Sequence, residues 1–102
     1  MSLKQNGKNK EYYEIYEDKK AIKFMEKYSD DEDLMSRIFD KYLDLSLNPY
    51  KEAENFKSKK CPKCKKTRVG EYRIIYFINE AKKEIEIIDI GSRKNIYKKW
   101  DW

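Results

Sequence analysis

Histidine is absent from the chain, and cysteine, proline and glycine are scarce, at two, two and three residues. Without an imidazole there is no Ser–His–Asp triad, no histidine-ligated metal and no ribonuclease of the paired-histidine kind. Two cysteines are too few for the disulfide framework of a small secreted domain. No stretch approaches the roughly 20 apolar residues of a membrane span, and the polar, lysine-bearing N-terminus offers no apolar core of a signal peptide. These absences predict a soluble, cytoplasmic protein.

What is present is charge and aromatic surface. Of 102 residues, 42% are charged and 39% hydrophobic, a balance that leans toward disorder. Against it stand nine tyrosines and two tryptophans, which can close a small core while keeping polar tips at its edge. The length holds one domain, expected over residues 11–102, behind a loose arm at 1–10 that carries lysines and no acid. Residues 11–58 are acidic, with 8 basic and 13 acidic side chains. Residues 59–73 (KKCPKCKKTRVGEYR) reverse the sign, with seven basic residues and one acid. Joined to a run of aromatics, that segment has the character of a phosphate-binding surface; a solvated lysine-rich loop is the plainer alternative.

The hydrophobic pattern orders the elements. Glu11–Glu17 (EYYEIYE) predicts a short strand. Asp18 is placed to cap a helix over Lys19–Tyr28, with Ala21, Phe24, Met25 and Tyr28 at helical spacing. The acidic Ser29–Asp33 opens a second helix to about Leu47, whose apolar stripe is Leu34, Met35, Ile38, Phe39, Tyr42 and Leu45, and Asn48-Pro49 stops it. Lys66–Val69 predicts a short basic strand and Tyr72–Ile78 (YRIIYFI) a central one. Asn79–Lys83 turns the chain into Glu84–Ile90, which Gly91 ends, and Ile96–Trp102 remains as an aromatic tail. The order β-α-α-β-β-β predicts an α+β fold, an N-terminal strand and helical hairpin packed on a small antiparallel sheet.

Arg68-Val69-Gly70-Glu71-Tyr72-Arg73-Ile74-Ile75-Tyr76, followed by Ile90-Gly91-Ser92-Arg93-Lys94-Asn95-Ile96-Tyr97-Lys98, resembles the RelE/ParE toxin superfamily. Its members commonly read R-V-G-D-Y-R-I-I-Y, then a hairpin, then I-G-H-R-K-x-x-Y. The likeness spans about Arg68–Lys99, and the preceding helical hairpin agrees in order and length. The resemblance implies a RelE-like fold and the toxin of a type II toxin–antitoxin pair. In the RelE branch that means a metal-independent endoribonuclease, needing no cofactor, that cuts mRNA on the ribosome and is restrained by a RelB-like antitoxin. In the ParE branch it means a gyrase inhibitor that cuts nothing. From the residues alone, a non-catalytic basic nucleic-acid-binding module also stays open.

RNA cleavage by a 2′-hydroxyl requires a proton acceptor, neutralisation of the phosphorane and stabilisation of the leaving 5′-oxygen. Carried over by motif, Arg73 and Arg93 clamp the scissile phosphate, Lys66 and Arg68 form the basic pair of the preceding strand with Lys66 as the better base, and Tyr97 stacks or handles a proton near the reacting nucleotide. Lys63, Lys65, Lys94 and Lys98 are the expected further RNA contacts. Plainer roles compete: Arg73 as cross-strand partner of Glu84 or Glu86, Arg93 and Lys94 as solvated tail charges, Tyr97 as an aromatic packing with Trp100. Two features depart from the family pattern. Ser92 stands in the frequent histidine position, and Cys61-Pro62-Lys63-Cys64 precedes the basic strand. Free thiols or an incidental disulfide, a metal shared between two chains, and redox chemistry are the readings of that pair, in descending order.

Overall fold

Capping chemistry and strand alternation lay out the molecule, and the computed structural model describes residues 11–100. The expected arm at 1–10 lies outside the described residues, as do Asp101 and Trp102 of the expected tail. The chain runs β1 (Glu14–Glu17), α1 (Lys19–Lys27), α2 (Glu32–Leu47), β2 (Glu54–Asn55), β3 (Lys65–Val69), β4 (Tyr72–Asn79), β5 (Glu84–Ser92) and α3 (Arg93–Trp100). The architecture is the expected α+β one. Its sheet has five strands in the order β1-β5-β4-β3-β2 and is mixed, because β1 runs parallel to β5 while the other pairings are antiparallel. Side-chain alternation encodes which face a residue takes, not which way a strand runs.

α2 begins as its sequence demands. Asp31 accepts a hydrogen bond from the Leu34 N–H at 3.1 Å, and Glu32 and Asp33 occupy the first turn, favourable to the helix dipole. Asp18 sits at the N-cap position of α1, but its side chain makes no capping bond; it shares a hydrogen bond with Glu86, which holds the Glu86 carboxyl above its usual range. Of the expected α2 stripe, Leu34, Ile38, Tyr42 and Leu45 are buried and Met35 packs at their margin. Phe39 is 56% exposed and stands outside the core. Tyr42 reaches past the apolar stripe to donate to Glu17 at 2.8 Å.

The sheet has two covered faces. One packs the helical hairpin against Val69, Ile74, Tyr76, Ile85, Ile87 and Ile90. The other, smaller, gathers Phe56, Cys64, Ile75, Ile96 and Trp100 under α3. A bulge between β4 and β5 lets both exist: Ile75 opposes Asp89 and Tyr76 opposes Ile87, so Ile88 is the extra residue. The insertion shifts alternation by one position, turning Ile90 to the main core and Asp89 to the second face.

The strand expected over Glu11–Glu17 starts only at Glu14, and two further differences lie toward the C-terminus. Gly91 does not end β5, which continues to Ser92, and the tail is a helix. Ser92 Oγ accepts from the Asn95 N–H at 3.1 Å, capping α3, and Ile96 and Trp100 lie one turn apart on its buried side. Gly91 leaves room for α3 to pack closely: a β-carbon there would lie 3.3 Å from Ile96 Cδ1, so the isoleucine would have to give by a few tenths of an ångström. Cys61 and Cys64 form a disulfide in the turn before β3, with Cys64 buried in the second core.

Candidate active site

Where the second face opens to solvent beyond Ile96, three elements bring cationic side chains together. Lys66 and Arg68 sit two apart on β3 and so share a face, Arg73 lies on β4, and α3 presents Arg93 and Tyr97. With Glu54 and Thr67 they line a cavity of about 290 Å³. All five residues placed in the catalytic group by sequence thus meet in one place.

Arg68 is the direct register partner of Arg73 across β3 and β4. Like charges directly opposite one another are destabilising in a sheet. Arg73 is also distant in register from the acids that could have made it structural: its β5 partner is Gly91, whereas Glu84 and Glu86 oppose Asn79 and Phe77. Among the described residues, Arg68, Arg73 and Arg93 form no ion pair with a carboxylate. The α3 N-terminus adds its partial positive charge at Arg93. The nearest acid is Glu54 of β2, 3.9 Å from Lys66 Nζ, on a two-residue strand too short to leave a periodic signal in the sequence.

Tyr97 is the centre of the cluster. Lys66 Nζ donates to its hydroxyl at 2.8 Å, while the Lys66 ammonium and the Arg93 guanidinium lie 5.2 and 5.7 Å from the ring centroid. The hydrogen bond from Lys66 lowers the phenol below its usual range. The charges of Lys66, Arg73 and Arg93 act in the same direction, and partial burial opposes them. The ring is 36% exposed and belongs to neither packed cluster, so it does not serve as a core partner of Trp100.

The four further lysines are not brought to this cavity. Lys63 and Lys65 flank a separate depression beside Phe77, where Lys65 donates to Asn55 at 2.8 Å. Lys94 is solvent-exposed, and Lys98 faces the opposite side of α3. One supporting residue was not singled out from sequence. Asp89, 1% exposed on the second face, accepts from Lys99 Nζ at 3.0 Å and Trp100 Nε1 at 3.0 Å, fastening the end of α3 to β5. Its signal was the Ile87-Ile88 doublet, the one break in the alternation of EIEIIDI. Among the described residues no cluster of His, Cys, Asp and Glu could hold a metal ion, and no helix is long and apolar enough to cross a membrane.

The fold and the motifs have counterparts in known proteins. A chain of the toxin–antitoxin complex RelBE2 from Mycobacterium tuberculosis superposes with a TM-score of 0.61 at 21% identity, over 80% of this chain and 99% of that one. No curated protein sequence matches significantly. The family model described as ParE toxin of type II toxin-antitoxin system, parDE, matches residues 15–97, from β1 through Tyr97. The chain therefore belongs to the ParE toxin family of type II toxin–antitoxin systems, within the RelE/ParE superfamily.

Proposed function

We propose that this toxin is a ribonuclease of the RelE kind, which cuts mRNA on the ribosome in the cytoplasm without a metal and is restrained by a RelB-like antitoxin. The observation that carries the reading is the Lys66–Tyr97 hydrogen bond at 2.8 Å inside a cavity that also holds Arg68, Arg73 and Arg93. A surface that only had to be positive would not need a phenol with depressed proton affinity at its centre.

The arrangement supports Tyr97, rather than Lys66, as proton acceptor. Lys66 stabilises the phenolate by donating to it, and the phenolate takes the proton of the 2′-hydroxyl. The O2′–P bond forms as the P–O5′ bond breaks, leaving a 2′,3′-cyclic phosphate. Arg73 and Arg93 donate to the non-bridging oxygens as their charge grows, and Arg68 hydrogen-bonds the departing 5′-oxygen, which takes its proton from water. The tyrosine proton then returns to solvent. The antitoxin reading is supported by the solved relative, which is itself a toxin–antitoxin complex.

A second reading is favoured by the family match, whose description is of a ParE toxin. In it the same cations contact gyrase and no bond is cut. Primer extension on programmed ribosomes separates the two. Wild-type protein is expected to leave discrete cleavage ends, and Arg73→Ala and Arg93→Ala are each expected to slow their appearance at least about tenfold. Wild-type rates for both variants, or inhibition of gyrase supercoiling without cleavage, would sink the nuclease assignment.

A further inference from the structure

On the far side of α3 lies a larger groove, about 630 Å³, between that helix and α1. One wall is α1, where Lys20, Lys23 and Lys27 are spaced three and four residues apart and so form a single stripe. The other wall is α3, contributing Lys98 and Lys99, and aromatic side chains of Phe24, Tyr28 and Tyr72 line the groove between them. Among the described residues its only acid, Asp89, is buried and already engaged by Lys99 and Trp100.

The charges of this stripe are not balanced within the fold. α1 has no acid in its first turn and carries Lys20 there, against the helix dipole, whereas Lys27 in its last turn is favourably placed. Lysines at three- and four-residue spacing repel one another along one face. Lys23 and Lys98 meet no carboxylate among the described residues. Such an arrangement is relieved by an anion, and a groove of about 630 Å³ has room for more than one phosphate. The groove and the candidate active site lie on opposite sides of α3 and meet along the chain at its N-terminus: Gly91 and Ser92 line the groove, and the next residue, Arg93, lines the other cavity.

We propose that the α1–α3 groove is an extended subsite for the single-stranded RNA flanking the scissile phosphate, holding its backbone on Lys20, Lys23, Lys27 and Lys98 as the strand crosses the N-terminus of α3. The inference rests on the reading of the neighbouring cavity as an RNA-cleaving site. The lysine stripe gives affinity without base readout, and the aromatic surface gives unstacked bases a platform.

The test uses the full chain and fluorescence anisotropy with labelled single-stranded RNAs of about twelve and about three nucleotides. Lys23→Gln/Lys27→Gln is the groove variant. Lys51→Gln/Lys57→Gln, on exposed residues elsewhere, removes the same charge. The groove variant is expected to bind the longer RNA about tenfold more weakly, with a salt dependence shallower by about 1.4 in log–log slope for two lost phosphate contacts. It should bind the shorter RNA as wild type does and unfold at the wild-type temperature, and the control pair should change nothing. Equal loss in both pairs would mean general charge only and overturn the subsite. So would wild-type affinity and slope in the groove variant, with or without lost binding of an acidic antitoxin segment. The cleavage assay with Arg73→Ala judges the nuclease reading separately, so either can fail while the other stands.

Discussion

Asp89→Ala tests whether one buried carboxylate holds the helix that carries two of the five groups of the candidate site. The side chain is 1% exposed and accepts from Lys99 Nζ at 3.0 and 3.3 Å, Trp100 Nε1 at 3.0 Å and the Ile90 N–H at 2.8 Å. Alanine removes the acceptor and leaves the donors. Lys99, with 49% of its side chain exposed, regains water, and its share is about 1 kcal/mol or less. The indole N–H of Trp100 and the N–H of Ile90 are buried, and leaving such donors unmet costs about 1–3 kcal/mol each. Taken at the low end of the donor ranges the losses total about 3 kcal/mol, the low end also of what breaking a buried ion pair costs. With a urea dependence of about 1.5 kcal/mol/M, the unfolding midpoint should fall by about 2 M. Asp89→Asn, which keeps an acceptor for Trp100, should lose less, and Lys99→Ala no more than about 1 kcal/mol. Hydrogen exchange of the Ile96–Trp100 amides should accelerate in the alanine variant and cleavage should fall with it. An Asp89→Ala protein within about 0.5 kcal/mol of wild type, with α3 still protected, would refute the reasoning.

If Tyr97 is the base, cleavage should rise with pH until its lowered proton affinity is passed and then level off. Lys66→Met, which removes the main lowering cause, should move that rise toward the ordinary phenol value near 10, and an unmoved profile would rule the pairing out. Tyr97→Phe should abolish the rise while leaving the unfolding temperature near wild type. Cys61→Ser/Cys64→Ser opens the disulfide and puts a hydroxyl at a site 1% exposed, so it should lower stability by about 2 kcal/mol or slightly more in denaturant titrations. An unchanged midpoint in that variant, and in wild type under reductant, would show that the bond contributes nothing. Gly70, at φ +59° between β3 and β4, should cost about 1 kcal/mol as alanine. The Arg37 guanidinium, 2.5 Å from the added carbon, is a flexible end that can swing into water, so a much larger loss would contradict this account.

The helical hairpin and the three long strands could be read from the chain because each carries its own local signal. Asp31 caps, Asn48-Pro49 stops, and YRIIYFI and EIEIIDI are strand-like over their whole length. The five-residue cluster was legible for another reason: its spacing matches a known motif, and strand alternation then puts Lys66 and Arg68 on one face. What escaped was set by long-range geometry. The parallel direction of β1, the two-residue β2 and the shift at Ile88 depend on pairing partners far along the chain. α3 was missed because a tail rich in lysine and aromatics hides its cap, Ser92, and only two of its eight residues, Ile96 and Trp100, are buried. The groove lysines of α1 were invisible as a site, since one helix face gains meaning only when α3 closes the other wall.

The parallel pairing of β1 with β5 has a consequence for how the toxin comes into being. Glu14–Glu17 can complete its hydrogen bonds only when Glu84–Ile87 has been made, so the first strand waits, unpaired, through most of synthesis. Arg93 and Tyr97 come later still, on a helix that needs the finished second face to dock upon. Contacts so distant in sequence form late and slowly. A chain interrupted anywhere before α3 therefore lacks two of the five groups of the candidate site. The complete candidate site exists only once α3 has been made and has docked on the second face.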